Sequence, residues 1–397
     1  MKPMRMICVI DGLGFGGAER SLAELLPGLA AAGIEPTVVC LHHRAGGVEG
    51  EVLERGFDVR FLPPGAPARI RTLRRLIREI SPALLQTTLV ESSLVGRVAA
   101  AGTGVPVLTS LVNQSYTAER RADPRVNHLA LRGIRTVDAW TARHMTAHFH
   151  AITDAVRRWA MATLRVSPER VTVVERGRDA ERLGQPGRRR RAAARERLGL
   201  SEDADVLVAV GRQEFQKGHR FLLQAMPGVV ASRPTAILLL AGREGAETEH
   251  LRSLVQRSRL DQSVRFLGHR DDLPDVLAAS DLFVFPSLWE GLGGSLIEAM
   301  ALGVPIVASD LEPVREVVER DRCAMLVPPR EPVSLASAIT TLLGDRARAR
   351  QLGTEGRKIF SERFTLQRST ARMIDLFRRV ARASDDTRPL GERLEVA

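Results

Sequence analysis

The chain has 397 residues, more than one hydrophobic core ordinarily serves, so two domains are expected. With 44% hydrophobic and 26% charged residues its composition is globular, and no apolar run approaches the roughly 18 residues that span a bilayer. A net charge of +11 favours phosphorylated ligands, acidic headgroups or nucleic acid, but a single Tyr and three Trp leave few platforms for base stacking, so nucleic acid is not expected as a partner.

The start, MKPMRMICVIDG, breaks into Asp and Gly too early for a signal peptide, and a cytoplasmic location is expected. MRMICVI reads as a strand. GLGFGGAER follows, with Gly12, Gly14, Gly16 and Gly17 leading into the helix-like SLAELLPGLAAAG. Gly12, Gly14 and Gly17 match G-x-G-x-x-G, a turn whose backbone approaches a pyrophosphate at a helix N-terminus. The acidic residue that a dinucleotide site places about 20 positions on is missing from PTVVCLHHR, so the pattern alone leaves the ligand open.

PTVVCLH, VRFLP, PALLQT, VPVLTSL, HFHAIT and VTVVE continue as strands between amphipathic stretches, the rhythm of βαβ units. RIRTLRRLIREI sets Ile70, Leu73, Leu76, Ile77 and Ile80 on one face among arginines: a core-covering helix, or one lying on acidic headgroups. HMTAHFH offers His144, His148 and His150, but it lacks the Glu of H-E-x-x-H and runs into a strand, so no metal is expected there. Cys8, Cys40 and Cys323 form no C-x-x-C and read as reduced core residues.

RGRDAERLGQPGRRRR has a linker's composition, its arginine run, Arg188 to Arg191, reading as a solvated face. The alternation then restarts with DVLVAVG, TAILLLAG, SVRFLG, DLFVFP, VPIVAS and AMLVPP, near-continuous apolar runs suited to strands covered on both faces. The fold class is therefore α/β with two doubly wound domains, 1–177 and 188–360. A linker covers 178–187, a C-terminal helix 361–383, and a frayed tail 384–397.

Two motifs in the second half carry chemistry. GRQEFQKGH follows a strand end, where parallel sheets bind ligands, and its Arg212 and Lys217 suit a diphosphate. In PSLWEGLGGSLIEAMALGVPIVASD, Glu290 precedes a glycine turn and a helix beginning near Ser295. The N–H groups of Gly294, Ser295 and Leu296 make an anion site there. Glu298 is either a ligand or the far end of a capping box with Ser295.

GRxxxxKG paired with Glu290-GLGGSLI-Glu298 resembles the GT-B glycosyltransferases of retaining family 4, and the likeness runs through GGAER, the joining segment, SVRFLGHRDDL and the C-terminal helix. The resemblance implies two Rossmann-like domains facing across a cleft, the second holding a nucleotide-diphosphate sugar, the first the acceptor, with the C-terminal helix returning to the first. It implies that Arg212, Lys217, Gly294, Ser295 and Leu296 hold the diphosphate, with Gly16 and Gly17 of the first glycine loop beside it. Glu298 would bind the ribose, Glu290 the transferred sugar, and Arg270 the edge of the base.

The chain departs from that family at QTT (86–88) and SLVNQS, where histidines are usual, and at RGRD in place of N-G-V-D. Thr88, Asn113 and Gln114 are the side chains left to face sugar or acceptor. No D-x-D stands where it would hold a metal on the diphosphate, so no cofactor and no divalent metal are expected, the protein's own cations taking that charge. The implied activity is transfer of a glycosyl group to a hydroxyl with retained configuration, the departing phosphate oxygen assisting same-face attack. The acceptor is either a lipid-linked or envelope-polysaccharide precursor at an acidic inner membrane surface, or a soluble small molecule. A hydrolysing sugar-nucleotide epimerase, an NAD(P) oxidoreductase and a non-catalytic binder are the rival readings.

Overall fold

A computed structural model describes residues 3–44, 46–123 and 125–386. Among these the chain divides into two compact units, one drawn from Met1–Tyr116, Arg125–Gly177 and Leu366–Ala397, the other from Thr117–Pro124 and Arg178–Thr365. No described helix is long and apolar enough to cross a membrane.

The first unit is built on seven parallel strands: β1 (Met4–Ile10), β2 (Ile34–Cys40), β3 (Asp58–Phe61), β4 (Leu84–Thr88), β5 (Val107–Leu111), β6 (His148–Ala151) and β7 (Val171–Val173). Their order is β3-β2-β1-β4-β5-β6-β7. Along β1, Met6, Cys8 and Ile10 pack into the core on one face and Ile7 and Val9 into that on the other, so the run is apolar from Met6 onward. On the Met6 face lie the helices Gly17–Ala31 and Leu366–Asp386. The latter returns from the far end of the chain to bury Met373, Leu376, Phe377 and Val380 with Leu22, Leu26 and Leu29. The two helices approach so closely at Gly28 that a Cβ there would stand 2.4 Å from Thr370 Cγ2.

Three sequence expectations change. The arginine-rich helix, Ala66–Ile80, covers the core through Leu73, Leu76 and Ile77, and two of its arginines face inward. Arg69 is buried, donates to the Leu41 carbonyl and pairs with Glu91, while Arg74 donates to the carbonyls of Val98, Ala99 and Ala101 and so closes the end of Val90–Ala100. Second, the helix expected over 361–383 is two helices, Arg346–Arg363 and Leu366–Asp386. The break between them lets Phe364 O accept the Arg178 N–H at 2.8 Å. Third, the helix runs three residues into the expected tail, and residues 387–397 lie outside the described ones.

The second unit has six parallel strands: β8 (Asp205–Val210), β9 (Ala236–Ala241), β10 (Val264–Gly268), β11 (Leu282–Phe285), β12 (Ile306–Ser309) and β13 (Ala324–Val327), ordered β10-β9-β8-β11-β12-β13. The segment read as a linker contains the helix Ala180–Leu183, capped by the Asp179 carboxylate. The arginine run is a solvated face only in its first half: Arg188 and Arg189 are exposed, whereas Arg190 and Arg191 are engaged. In the helix Arg188–Arg197, Arg190 pairs with Asp275, and Arg191 and Arg195 converge on Asp281, which also receives Arg346.

Phe377 is fully buried where the last helix meets the first sheet, so Phe377→Ala should cost about 3–5 kcal/mol of stability through lost packing and the cavity left behind. Urea unfolding followed by circular dichroism measures it. A cost under about 1 kcal/mol would show that the returning helix contributes little to the first unit.

Candidate functional site at the sheet reversal

In each sheet the strand order reverses once, between β1 and β4 in the first unit and between β8 and β11 in the second. A crevice opens at the carboxyl ends of such a strand pair because the connections leave in opposite directions. Both second-half motifs stand there: GRQEFQKGH follows β8, and the Glu290 turn follows β11.

These two loops are bonded to one another. Leu288 N–H donates to Gln216 O at 2.8 Å, and Gln216 Nε2 donates to Trp289 O at 2.8 Å. Phe215, Leu288 and Trp289 form a small buried cluster beneath them, with Arg220 stacked on Phe215. Gly218 permits the approach: it has φ of +63°, and a Cβ there would lie 1.9 Å from Pro286 O. Across this seam Lys217 Nζ meets Glu290 Oε1 at 2.5 Å, with Glu290 buried and the Lys217 side chain 23% exposed. Arg212 is instead 66% exposed, its nearest carboxylate, that of Glu214, being 4.0 Å away.

The glycine turn after Glu290 delivers the helix Gly294–Ala301, whose N-cap is Gly293 with φ of +91° and no side-chain cap. The capping-box alternative for Ser295 and Glu298 is therefore not realised, because the helix starts a residue earlier and Glu298 turns elsewhere. It accepts a 2.8 Å hydrogen bond from Arg178 Nε. Arg178 is buried, and its guanidinium lies over the helix start: a Cβ on Gly294 would be 2.3 Å from Nη2. Of the three N–H groups expected to hold an anion, that of Leu296 is taken by a 3.2 Å turn bond to Gly293 O, which leaves Gly294 and Ser295. Arg270 sits after β10, two strands from the reversal, bound through both nitrogens to Asp272 at 2.7 and 2.6 Å.

Three of the seven buried polar side-chain atoms without a partner among the described residues stand in the segments that follow β8 and β11: Gln213 Oε1, His219 Nδ1 and Ser287 Oγ. Unsatisfied buried groups are costly, so their concentration in these two segments marks a place shaped for a ligand.

At the reversal of the first unit the glycines serve the protein itself. A Cβ on Gly12 would stand 2.9 Å from His42 O, and one on Gly47, with φ of +80°, 2.4 Å from the Gly14 carbonyl carbon, so two loops meet backbone to backbone. Gly16 makes room for Glu19, whose Oε2 would lie 2.2 Å from a Cβ there. A carboxylate thus covers the helix start that the sequence assigned to phosphate, while Gly17 faces Arg176 Nη1, 3.7 Å from its Cβ position.

Thr88 lines a cavity with Gln86, Ser110, His150 and Arg176. Asn113 and Gln114 do not line it; Asn113 Oδ1 accepts the Gln114 N–H at 2.8 Å, turning back on its own backbone. The cavity floor is an ordered chain. His150 Nε2 reaches Val174 O at 2.8 Å and must donate, so Nδ1 accepts from Ser110 Oγ at 3.1 Å, and Ser110 accepts from Gln86 Nε2 at 2.9 Å. His150 and Arg178 were not singled out for these places from sequence; RGRD was the visible signal for Arg178. His148 bonds to Thr172, and no three His, Cys, Asp or Glu side chains of the described residues stand together as metal ligands would.

The first half matches the family model for Glycosyltransferase Family 4 over residues 15–182, and the second that for Glycosyl transferases group 1 over residues 204–345. Glycogen synthase of Mycobacterium tuberculosis is 32% identical over 199 residues, 50% of this chain and 45% of that protein. The chain thus spans about half the length of this curated relative. An Escherichia coli enzyme, UDP-Gal:alpha-D-GlcNAc-diphosphoundecaprenol alpha-1,3-galactosyltransferase, is 24% identical over 282 residues, 69% of this chain and 70% of that one. Among solved structures, Anabaena Alr3699/HepE in complex with UDP-glucose superposes with a TM-score of 0.80 at 22% identity, over 94% of this chain and 98% of that one.

Burial holds two imidazoles neutral: His150 is pushed down to about 4 and His219, beside Lys217, to about 3. Unfolded histidine takes its proton near pH 6.5, so on acidification the unfolded state binds protons first. Stability should be full above that pH and fall below it, by on the order of 2–3 kcal/mol per ring at about pH 4.5. Urea unfolding at about pH 7.5 and 4.5 should show a smaller loss in His219→Gln than in wild type. An equal loss would mean the ring is protonated in the folded state.

Proposed function

Since the chain belongs to the GT-B glycosyltransferases, we propose that it moves a sugar from a nucleotide-diphosphate donor to a hydroxyl with retention at the anomeric carbon. The observation that carries this reading is the Lys217–Glu290 pair at the β8/β11 reversal, flanked by exposed Arg212 and by the uncapped helix start at Gly294. Departure of the nucleotide diphosphate concentrates negative charge, and fixed cations with helix N–H groups stabilise it without reorganising. Arg212 and Lys217 take the diphosphate, with Gly294 and Ser295 donating to it. Glu290, held by Lys217, faces the positive charge that grows on the sugar ring.

Arg178 occupies Oε1 of Glu298, so Oε2 is the oxygen we assign to a ribose hydroxyl. Arg270 remains the residue assigned to the base edge. Because two protein cations already face the leaving group, transfer requires no divalent metal and should survive EDTA. The acceptor is assigned to the first unit, with Thr88 at its cavity, and to a lipid-linked class. The E. coli relative, named for a diphosphoundecaprenol acceptor, supports that class.

A thermal-shift screen with UDP-, GDP-, ADP- and dTDP-sugars identifies the donor, a UDP-sugar being expected to raise the melting temperature. With that donor, Lys217→Ala and Arg212→Ala should each lower turnover by about two to four powers of ten. Glu298→Gln should chiefly raise the donor KM, whereas Glu290→Gln should lower kcat. Near wild-type rates in both cation variants would sink the diphosphate assignment. Sugar release without any acceptor product would convert the reading to a hydrolase.

A further inference from the structure

The helix His128–Met145 in the first unit is built inside out. Its inward face carries only two apolar residues, Leu131 and Ala142, beside a polar cluster: Asp138, buried, takes a 2.6 Å ion pair from fully buried Arg97 and a 3.0 Å bond from Tyr116 Oη, and Thr141 completes it. Apolar residues point outward instead. Leu129 is 79% exposed, Ile134 44%, Val137 53% and Trp140 50%, half of the eight large hydrophobic side chains that stand exposed among the described residues. With exposed Ala130, Gly133 and His144, Leu129, Val137 and Trp140 fall on one stripe at helical spacing, a face that ordinarily turns to the core.

The charge on that outer surface has one sign. Asp138 is the helix's single carboxylate and it is buried, whereas Arg132 and Arg135 are exposed and form no ion pair among the described residues. An aromatic and aliphatic stripe flanked by unpaired Arg132, a neighbour of Leu129 one turn on round the helix, fits the boundary of an anionic bilayer. The indole sits at headgroup depth, the aliphatic side chains pass below it, and the guanidinium meets phosphates. We propose that the outer face of His128–Met145 docks the protein on an acidic phospholipid surface. The docking face differs from the arginine-rich helix Ala66–Ile80, whose Arg69 and Arg74 are spent inside the fold and whose exposed Arg71, Arg75 and Arg78 have no exposed apolar stripe beside them. The proposal deepens the lipid-linked-acceptor reading and rests on it for biological purpose, but vesicle binding is measured without donor or acceptor, so the two can fail separately.

The test is cosedimentation of the full chain with phosphatidylglycerol and with phosphatidylcholine vesicles, combined with tryptophan emission. Trp289 is buried and Trp159 is stacked on Tyr116, so a shift on binding reports Trp140. Wild type should bind phosphatidylglycerol at low ionic strength with blue-shifted emission, and be released by about 1 M salt. Arg132→Glu, a change of two charge units, should weaken binding on the order of 30-fold. Val137→Glu with Trp140→Glu should abolish it, circular dichroism and melting temperature staying near wild type. Trp140→Phe, which keeps an apolar ring, should still sediment but lose the emission shift. No binding by wild type, binding that survives the Val137 and Trp140 pair, or an emission shift retained in Trp140→Phe would overturn the proposal. So would a dimer in light scattering that the same pair splits while vesicles are ignored, which would make the stripe a contact between copies.

Discussion

Lys217 and Glu290 meet at 2.5 Å where the order of the second sheet reverses, and much of the candidate donor site depends on that meeting. Each residue sits on a loop that leaves the sheet in a different direction, so nothing in the local chain brings them together. Register does: β11 pairs directly with β8, and the loops beyond their ends are then close enough for Gln216 to bond Trp289 O and for Gly218 to pass beneath Pro286 O. A half-buried ammonium against a buried carboxylate is worth keeping only if further hydrogen bonds or a ligand use the remaining valences. The orphaned atoms of Gln213, His219 and Ser287 beside it point to a site whose polar groups are arranged for a guest rather than for one another.

Arginine does two different jobs in this chain. The excess of positive charge suggested an anionic partner everywhere, yet many of the arginines are internal clamps. Arg191, Arg195 and Arg346 gather on Asp281, Arg74 closes the end of a helix, and Arg97 neutralises Asp138 under another. A planar guanidinium carries five donors and can bridge a carboxylate and several carbonyls at once, which a lysine ammonium cannot. Net charge therefore overstates what faces solvent. An informative arginine is one held only loosely by a carboxylate, such as Arg212 at the sheet reversal, 66% exposed and 4.0 Å from Glu214.

The strands of the second sheet were legible because they are short, nearly uninterrupted apolar runs between polar turns, a pattern that parallel sheets covered on both faces impose; those of the first, such as Leu84–Thr88 and His148–Ala151, are more polar and were legible mainly by their rhythm. Both site motifs were legible for a related reason: a parallel sheet offers its ligands strand ends, and glycine turns there are conspicuous. What could not be read was pairing at long range. Glu298 looked like a capping residue because Ser295 stands three positions before it. Only the fold brings Arg178, 120 residues earlier, onto it. Likewise the spacing of Gly12, Gly14 and Gly17 matched a phosphate turn, but the space at Gly12 and Gly14 is taken by His42 O and the Arg44 side chain, and that at neighbouring Gly16 by Glu19. A glycine records that something comes close, not whether that thing is a ligand or the protein itself.

The helix His128–Met145 escaped the sequence reading for the opposite reason. Its pattern is amphipathic, and an amphipathic helix is read with its apolar side inward by default. The default fails here because Arg97 is buried in the helix Val90–Ala100 and must be neutralised. An unpaired guanidinium in the interior would be prohibitive, so the neighbouring helix turns its carboxylate and hydroxyl toward it. Having turned Asp138 inward, the helix leaves Trp140 about 160° and Val137 about 100° round the cylinder, and both are exposed. A buried charge on one helix thereby places an apolar stripe on the outside of the next.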